Sequence, residues 1–194
     1  LMGGGERARA REPGKAAVRT SGKSDAIASM TAEIDAITAS RKREAGADAL
    51  ADKTRETVDF DGRIEGIDAA AAAYAKAESL LANDAAKAQI AKSPNVGREA
   101  SRLKKKRQDL VVERDKLLRE QAYIYKERIG EEFARVPDQD KVGNMTLEEL
   151  LKHQESVKAN VGTAYDEMTR FAVRYPQAVD PEMMAEIDEQ KKDL

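Results

Sequence analysis

The C-terminal third of the chain carries a repeat of residues spaced alternately three and four positions apart, which places them on one face of an α-helix. The members of this C-terminal seam are Leu147, Leu150, Gln154, Val157, Val161, Ala164, Met168 and Phe171. Because its apolar face is narrow, the segment is better suited to packing against another helix than to enclosing a substrate. We therefore predict that the seam binds a partner, with Gln154 either fixing the helix register or lying at a hydrated edge.

A second helical repeat begins after Ser24 and then changes character. Its apolar members are Ile27, Met30, Ile34 and Ile37. The next positions on the same face are charged, namely Arg41, Glu44 and Asp48. This segment therefore forms a helix that either continues as a solvent-exposed rod or ends near Gly46.

The middle of the chain predicts two more helices, separated by one clear break. Apolar residues at helical spacing begin at Ile64, and the alanine run over 69–73 permits close approach of a neighbouring helix. The sequence Ser93-Pro94-Asn95 then interrupts the pattern. Beyond it, leucines recur every seven residues at Leu103, Leu110 and Leu117. This heptad repeat predicts a long helix from about 99 to 136.

Two capping patterns mark the helices of the C-terminal region. Thr146 and Glu149 have the spacing of a capping box, which opens the helix of the C-terminal seam. Asp180 followed by Pro181 predicts the start of a short last helix. No segment shows the alternation typical of a strand. We predict an all-α fold of four or five helices, at least two of them long. They would form antiparallel helical hairpins or a coiled-coil-like bundle, with a flexible basic N-terminal arm.

Charge and composition divide the chain into segments. They are a flexible basic arm over 1–24, an alanine-rich helical segment over 25–92, a long basic helix over 98–136 and an acidic helical segment over 144–194. The alternative is one extended helical domain over 25–194. The net charge is only −2, because the basic and acidic segments offset each other. Alanine supplies 33 residues and buries little area per residue, so few bulky apolar groups are left for a thick core.

The strongest basic run surrounds one part of the long helix. This basic collar comprises Arg102, Lys104, Lys105, Lys106 and Arg107. Consecutive helical residues point in all directions, so the collar is not a one-sided stripe. It forms a solvated surface, pairs with the acidic C-terminal helices, or binds the phosphates of RNA or anionic lipids. No aromatic residue lies near it in the sequence to stack on bases, so nucleic acid is an alternative partner that we do not favour.

The segment from Asp138 to Glu149 resembles the twelve-residue calcium loop of EF-hand proteins. The matching positions are Asp138, Asp140, Gly143 and Glu149. The fifth position is Val142, which offers no side-chain oxygen, so the resemblance implies weak or absent calcium binding. In the interpretation that we favour, this segment is a polar turn followed by a capped helix, and Asp138, Asp140 and Glu149 hold no metal.

The sequence contains few groups suited to catalysis. It has no cysteine and a single histidine, His153. From these residues no nucleophile, base and orienting group can be assembled, so we expect neither enzyme activity nor a cofactor. No stretch approaches the roughly 20 apolar residues that a transmembrane helix needs. We expect an intracellular protein and leave import into an organelle open.

These features favour a non-enzymatic structural subunit or assembly factor of a large macromolecular complex. It would bind other protein subunits, or a second copy of itself, through helix faces. The reason is that several helices carry a narrow apolar face, and the chain has too few bulky apolar residues to bury all of these faces. The first alternative is an RNA- or ribosome-associated protein that uses the arm and the basic collar. The second is a calcium-responsive helical adaptor that uses the loop over 138–149.

Overall fold

The computed structural model describes residues 14–82 and 92–192, and all regular structure in those ranges is helical. This confirms the all-α prediction. The helices are α1 (Gly14–Glu56), α2 (Phe60–Ser79), α3 (Pro94–Ala134), the single turn α4 (Gln139–Val142), α5 (Leu147–Arg174) and α6 (Pro181–Lys192). A short 3-10 helix, Pro176–Ala178, follows α5.

The chain divides into two compact units, Leu1–Leu110 and Val111–Leu194. The division falls inside α3, whereas the segments expected from charge were divided at the ends of that helix. Each unit therefore contains one half of α3 together with the helices that pack on that half.

The first unit is built on an antiparallel hairpin of α1 and α2. Asp59 opens α2 as its N-cap, because its carboxylate accepts a hydrogen bond from the Gly62 N–H at 2.7 Å. The hairpin interface is lined by small residues, including Ala47, Ala70 and Ala77, which are all fully buried. Alanine allows the helix axes to come close, as the alanine run predicted.

The close approach of α1 and α2 also explains two local features of the hairpin. The Ser40 hydroxyl is buried and donates to the Ala77 carbonyl at 2.9 Å. Further along, Gly66 lies so near α1 that a Cβ atom at this position would overlap the buried side chain of Thr54. The absence of a side chain at Gly66 is therefore what permits the helices to approach here.

Helix α1 extends beyond both ends of the shorter predicted helix, which would begin after Ser24 and end near Gly46. It begins at Gly14, inside the segment expected to be a flexible arm, and it runs through Gly46 to Glu56. The helical residues 14–24 correct part of the predicted flexible arm and the predicted start of the helix after Ser24, and residues 1–13 lie outside the described part of the chain. Extending an existing helix costs little once it is nucleated, and the sequence after Gly14 contains good helix formers.

The second unit packs the C-terminal half of α3 against α5 and α6. Helices α3 and α5 are antiparallel, with the rings of Tyr125 and Phe171 5.3 Å apart between centroids. Thr146 and Glu149 form the predicted capping box at the start of α5. Asp180 accepts from the Glu182 N–H at 3.0 Å as α6 begins, as the Asp-Pro pattern predicted.

Candidate partner-binding site

The charged break in the repeat of α1 is the place where α3 docks. The three residues that interrupt the apolar stripe meet three residues at the start of α3, each at a sequence separation of 58. The pairs are Arg41 with Glu99, Glu44 with Arg102 and Asp48 with Lys106. A constant separation means that the two helices run parallel and in register along this face. We call these six residues the ion-pair cluster.

Arg102 occupies the centre of the ion-pair cluster. Its guanidinium donates to both carboxylate oxygens of Glu44, one of them at 2.6 Å, and also to Glu99 at 2.6 Å. Lys106 donates to the same Glu44 at 2.6 Å and to Asp48 at 2.9 Å. The Glu44 side chain is only 7% exposed, so its charge depends on these donors in place of water.

Helix α2 places one aromatic residue beside the ion-pair cluster. The Tyr74 hydroxyl donates to Asp48 at 2.5 Å, and the Lys106 ammonium lies 5.6 Å from the centre of the Tyr74 ring. Burial, together with the hydrogen bond to Asp48, raises the pKa of Tyr74. Tyr74 therefore stays protonated and joins α2 to both other helices of the unit.

The pKa shifts of the carboxyl groups in the ion-pair cluster indicate a structural role. Hydrogen bonds from Arg41 and then Arg102 lower the pKa of Glu99 to about 2. A hydrogen bond from Arg102 likewise lowers the pKa of Glu44. Both carboxyls are therefore ionised and paired at neutral pH. A general acid or base needs a pKa near the working pH, so neither group is suited to proton transfer.

Three of the five residues of the basic collar form ion pairs within the first unit. Arg102 and Lys106 belong to the ion-pair cluster, and Arg107 pairs with Glu78 of α2 at 3.1 Å. Lys104 and Lys105 are exposed. The carboxylates that meet the collar here come from α1, α2 and α3 itself. Binding of RNA by the collar stays a prediction, with fewer unpaired cations to support it.

The apolar stripe of α1 is left uncovered at its N-terminal end. Ile27, Met30 and Ile34 are 60%, 56% and 63% exposed. Helix α3 begins at Pro94, and the residues 58 positions after Ile27 and Met30 lie outside the described part of the chain. Ser93 donates to Glu33 at 2.6 Å and marks the level at which this packing starts. We call these three residues the α1 stripe.

The C-terminal seam is buried over most of its length and open at its start. Its last five members are buried within the chain: Val157, Val161, Ala164, Met168 and Phe171. By contrast, Leu147 is 73% exposed, Gln154 is exposed and Leu150 is half-buried. The exposed position of Gln154 matches the hydrated-edge interpretation. Partner binding by the seam stays a prediction, and only its N-terminal end is accessible for it.

This open end borders an apolar groove in the second unit. The groove has a volume of about 430 Å³, and its walls include Val136, Val142, Leu147, Leu151 and Val157. His153 closes one side, where its Nε2 lies 2.8 Å from the Arg135 carbonyl oxygen at the end of α3. This contact gives the lone histidine a structural partner.

The loop that resembles a calcium site does not gather its acidic residues. Asp138 precedes α4, while Asp140 and the ligand-poor position Val142 lie in that helix. The Glu149 carboxylate accepts from the Thr146 N–H at 2.8 Å, and this contact lowers its pKa. Nowhere in 14–82 or 92–192 do three His, Asp or Glu side chains converge to hold a metal ion.

The sequence pattern indicates the collar and the charged break but not their pairing. It also gave no indication that the start of the seam would border a groove. A usable signal was present: Glu44 and Asp48 are four residues apart, and so are Arg102 and Lys106, with opposite charge. Equal spacing of opposite charges on two predicted helices favours their alignment through interhelical ion pairs.

Comparison with protein-family models, with curated proteins and with solved structures finds no match to this chain. Among the helices of the described residues, none is long and apolar enough to cross a membrane. Function is therefore inferred from the chain's own surfaces.

Proposed function

We propose that this chain is a non-enzymatic structural subunit or assembly factor of a large macromolecular complex, and that it binds protein partners through helix faces. The observation that carries the proposal is the α1 stripe. Its three large aliphatic side chains follow helical spacing, and more than half of each is in contact with solvent. Clustered apolar residues of this kind are typical of interaction sites, whereas single exposed ones are common on any protein.

The interior of the first unit supports the same interpretation. On one face of α1, the residues beside α3 are charged and satisfied within the chain, and the residues beyond α3 are apolar and uncovered. The same face therefore contacts an internal helix over one half, and its large apolar side chains are exposed over the other. A helix from a partner, placed along the α1 stripe, would extend the helix packing that α3 provides from Pro94 onwards.

The free energy gained by burying the α1 stripe can be compared with the binding free energy that a stable complex requires. Full burial of a large aliphatic side chain contributes about 1.5–3 kcal/mol, so covering the exposed part of three contributes roughly 3–5 kcal/mol. A micromolar complex requires about 8 kcal/mol. The stripe alone is therefore insufficient, and the proposal requires that a partner also contacts a second surface.

Site-specific photo-crosslinking tests the proposal. A photoreactive amino acid replaces Met30 in one variant and Ala32 in another, in cells that naturally contain the protein. Ala32 is also exposed but points to the opposite side of α1. We expect discrete protein adducts from position 30 that are absent from position 32. We also expect Ile34→Asp, introduced as a second change, to abolish them. Equal adducts from both positions, or none from either, contradict the proposal.

A further inference from the structure

We infer that a cavity beside the start of α3 binds the phosphate group of a small molecule. The cavity lies between α1 and α3 within the first unit, and its volume is about 330 Å³. We call it the arginine cavity, and its lining residues are Ile37, Arg41, Asn95, Arg98, Glu99 and Arg102. This inference goes beyond the proposed function, because it concerns a small ligand and does not depend on a protein partner.

Three guanidinium groups line the arginine cavity, and each guanidinium has five N–H donors. Arg41 is 64% exposed, and among the described residues it donates only to Glu99, at 2.6 Å. Arg98 donates to Asn95 at 2.5 Å and forms no ion pair with a carboxylate of the described residues. Most N–H groups of Arg41 and Arg98 are therefore free to bind a ligand that enters the cavity.

Positive charge is concentrated at the end of the ion-pair cluster where the arginine cavity lies. The lining carries three positive charges and one negative charge, which belongs to Glu99. The other two carboxylates of the cluster, Glu44 and Asp48, lie about one and two turns further along α1, and Lys106 donates to both. The cavity therefore keeps a net charge of +2 along its walls, which favours a dianion.

The backbone at the start of α3 adds to this positive potential. Helix α3 begins at Pro94, and the first turn of a helix carries the positive end of the helix dipole. The nearby carboxylate of Glu33 is outside the lining, and it accepts a hydrogen bond from the Ser93 hydroxyl at 2.6 Å. Side chains and backbone therefore favour negative charge at the same place.

The arrangement of the donors favours a phosphate group over a carboxylate. A carboxylate has two oxygens in one plane, and a single guanidinium can satisfy both, as Arg102 does for Glu44. A phosphate monoester has three acceptor oxygens and a charge of about −1.5 to −2 at neutral pH. It can therefore accept from Arg41 on α1 and from Arg98 on α3 at once. Ile37 supplies an apolar wall for a small organic group attached to the phosphate.

The probes for this site are inorganic phosphate and glycerol 3-phosphate, with acetate as the control anion. Each is titrated into the full isotope-labelled chain at neutral pH and constant ionic strength, and binding is followed by amide chemical shifts. We expect saturable binding of both phosphates, with shifts concentrated over 37–41 and 95–102, and no saturable binding of acetate. Tighter binding of glycerol 3-phosphate identifies an organic phosphate as the ligand, and equal or weaker binding identifies free phosphate.

Two arginine variants locate the contact. Arg98→Gln removes a charge from the cavity without breaking an ion pair of the described residues, and it should weaken phosphate binding about tenfold. Arg43→Gln is the matched control, because Arg43 is an exposed arginine of α1 outside the lining, and it should leave binding unchanged. Both side chains are exposed, so both variants should keep the parent's melting temperature, and this measurement serves as the control for folding.

Four outcomes overturn the inference. They are the absence of saturable phosphate binding, binding of acetate as tight as that of phosphate, equal loss of binding in both variants, and shifts centred on the exposed lysines Lys104 and Lys105. The photo-crosslinking test at position 30 is independent of the arginine cavity. A failed titration with intact crosslinks therefore refutes the phosphate site alone.

Discussion

Replacing Glu44 by glutamine should release the start of α3 from the α1–α2 hairpin. The change keeps the shape of the side chain but removes the charge that two nitrogens of Arg102 and the ammonium of Lys106 share. The cost lies between two known limits. Breaking a buried ion pair costs about 3–5 kcal/mol, and an exposed pair contributes about 0–1 kcal/mol. Glu44 is buried, but Arg102 and Lys106 are 42% and 34% exposed. We therefore expect about 2 kcal/mol.

Native-state hydrogen exchange measures this effect where it occurs. A loss of 2 kcal/mol corresponds to about 30-fold faster exchange, since about 1.4 kcal/mol is a factor of ten. The acceleration should appear in the amides over 98–108, at the start of α3. Asp35→Asn is the matched control, because Asp35 is an exposed acidic residue on the same helix and its loss should cost less than about 0.5 kcal/mol.

A double-mutant cycle separates the ion pair from a general loss of stability. If Glu44 and Arg102 act through each other, Glu44→Gln combined with Arg102→Gln should cost about 1 kcal/mol less than the sum of the single changes. The reasoning is refuted if Glu44→Gln exchanges no faster than Asp35→Asn, or if the two costs simply add.

Three further predictions follow from individual contacts. The pKa of Glu99 lies at about 2 in the folded chain, mainly through Arg41, against an ordinary value of 4.5. Its stabilising contribution is therefore complete above about pH 4.5 and is lost as the pH falls towards 2, and Glu99→Gln should flatten thermal melting temperatures over that range. Gly66→Ala should destabilise the hairpin by about 1–3 kcal/mol through overpacking, whereas Gly46→Ala, with open space around it, should stabilise by about 0.5–1 kcal/mol in urea titrations. Thr146→Ala should cost about 1 kcal/mol through loss of the cap, and calcium should not change the melting temperature of either protein.

The helical class and the helix boundaries near caps could be predicted from sequence because their causes are local. The Thr146 capping box and the Asp180-Pro181 start depend on residues within one turn of each other. The environment of the charged residues Arg41, Glu44 and Asp48 could not be predicted in the same way. Whether those residues face solvent or another helix depends on a segment 58 residues away.

The sequence also does not indicate which part of the C-terminal seam is accessible to a partner. The apolar spacing that predicts the C-terminal seam is equally satisfied by an internal helix and by a partner. In the structure both cases occur along one helix, since Val161 is buried within the chain and Leu147 is not. Where the change falls depends on the helices that pack on α5, which no pattern within α5 contains.

The central claim is that exposed helix faces join this chain to other proteins. The most direct measurement is the mass of the assembly that contains residues 1–194, expressed with an affinity tag in cells that naturally hold the protein and analysed by native mass spectrometry. Our account predicts species well above 21.3 kDa that contain other proteins, that dissociate with Ile34→Asp and that persist with Ala32→Asp. A single species at the mass of the tagged monomer, or assemblies unaffected by Ile34→Asp, would contradict it.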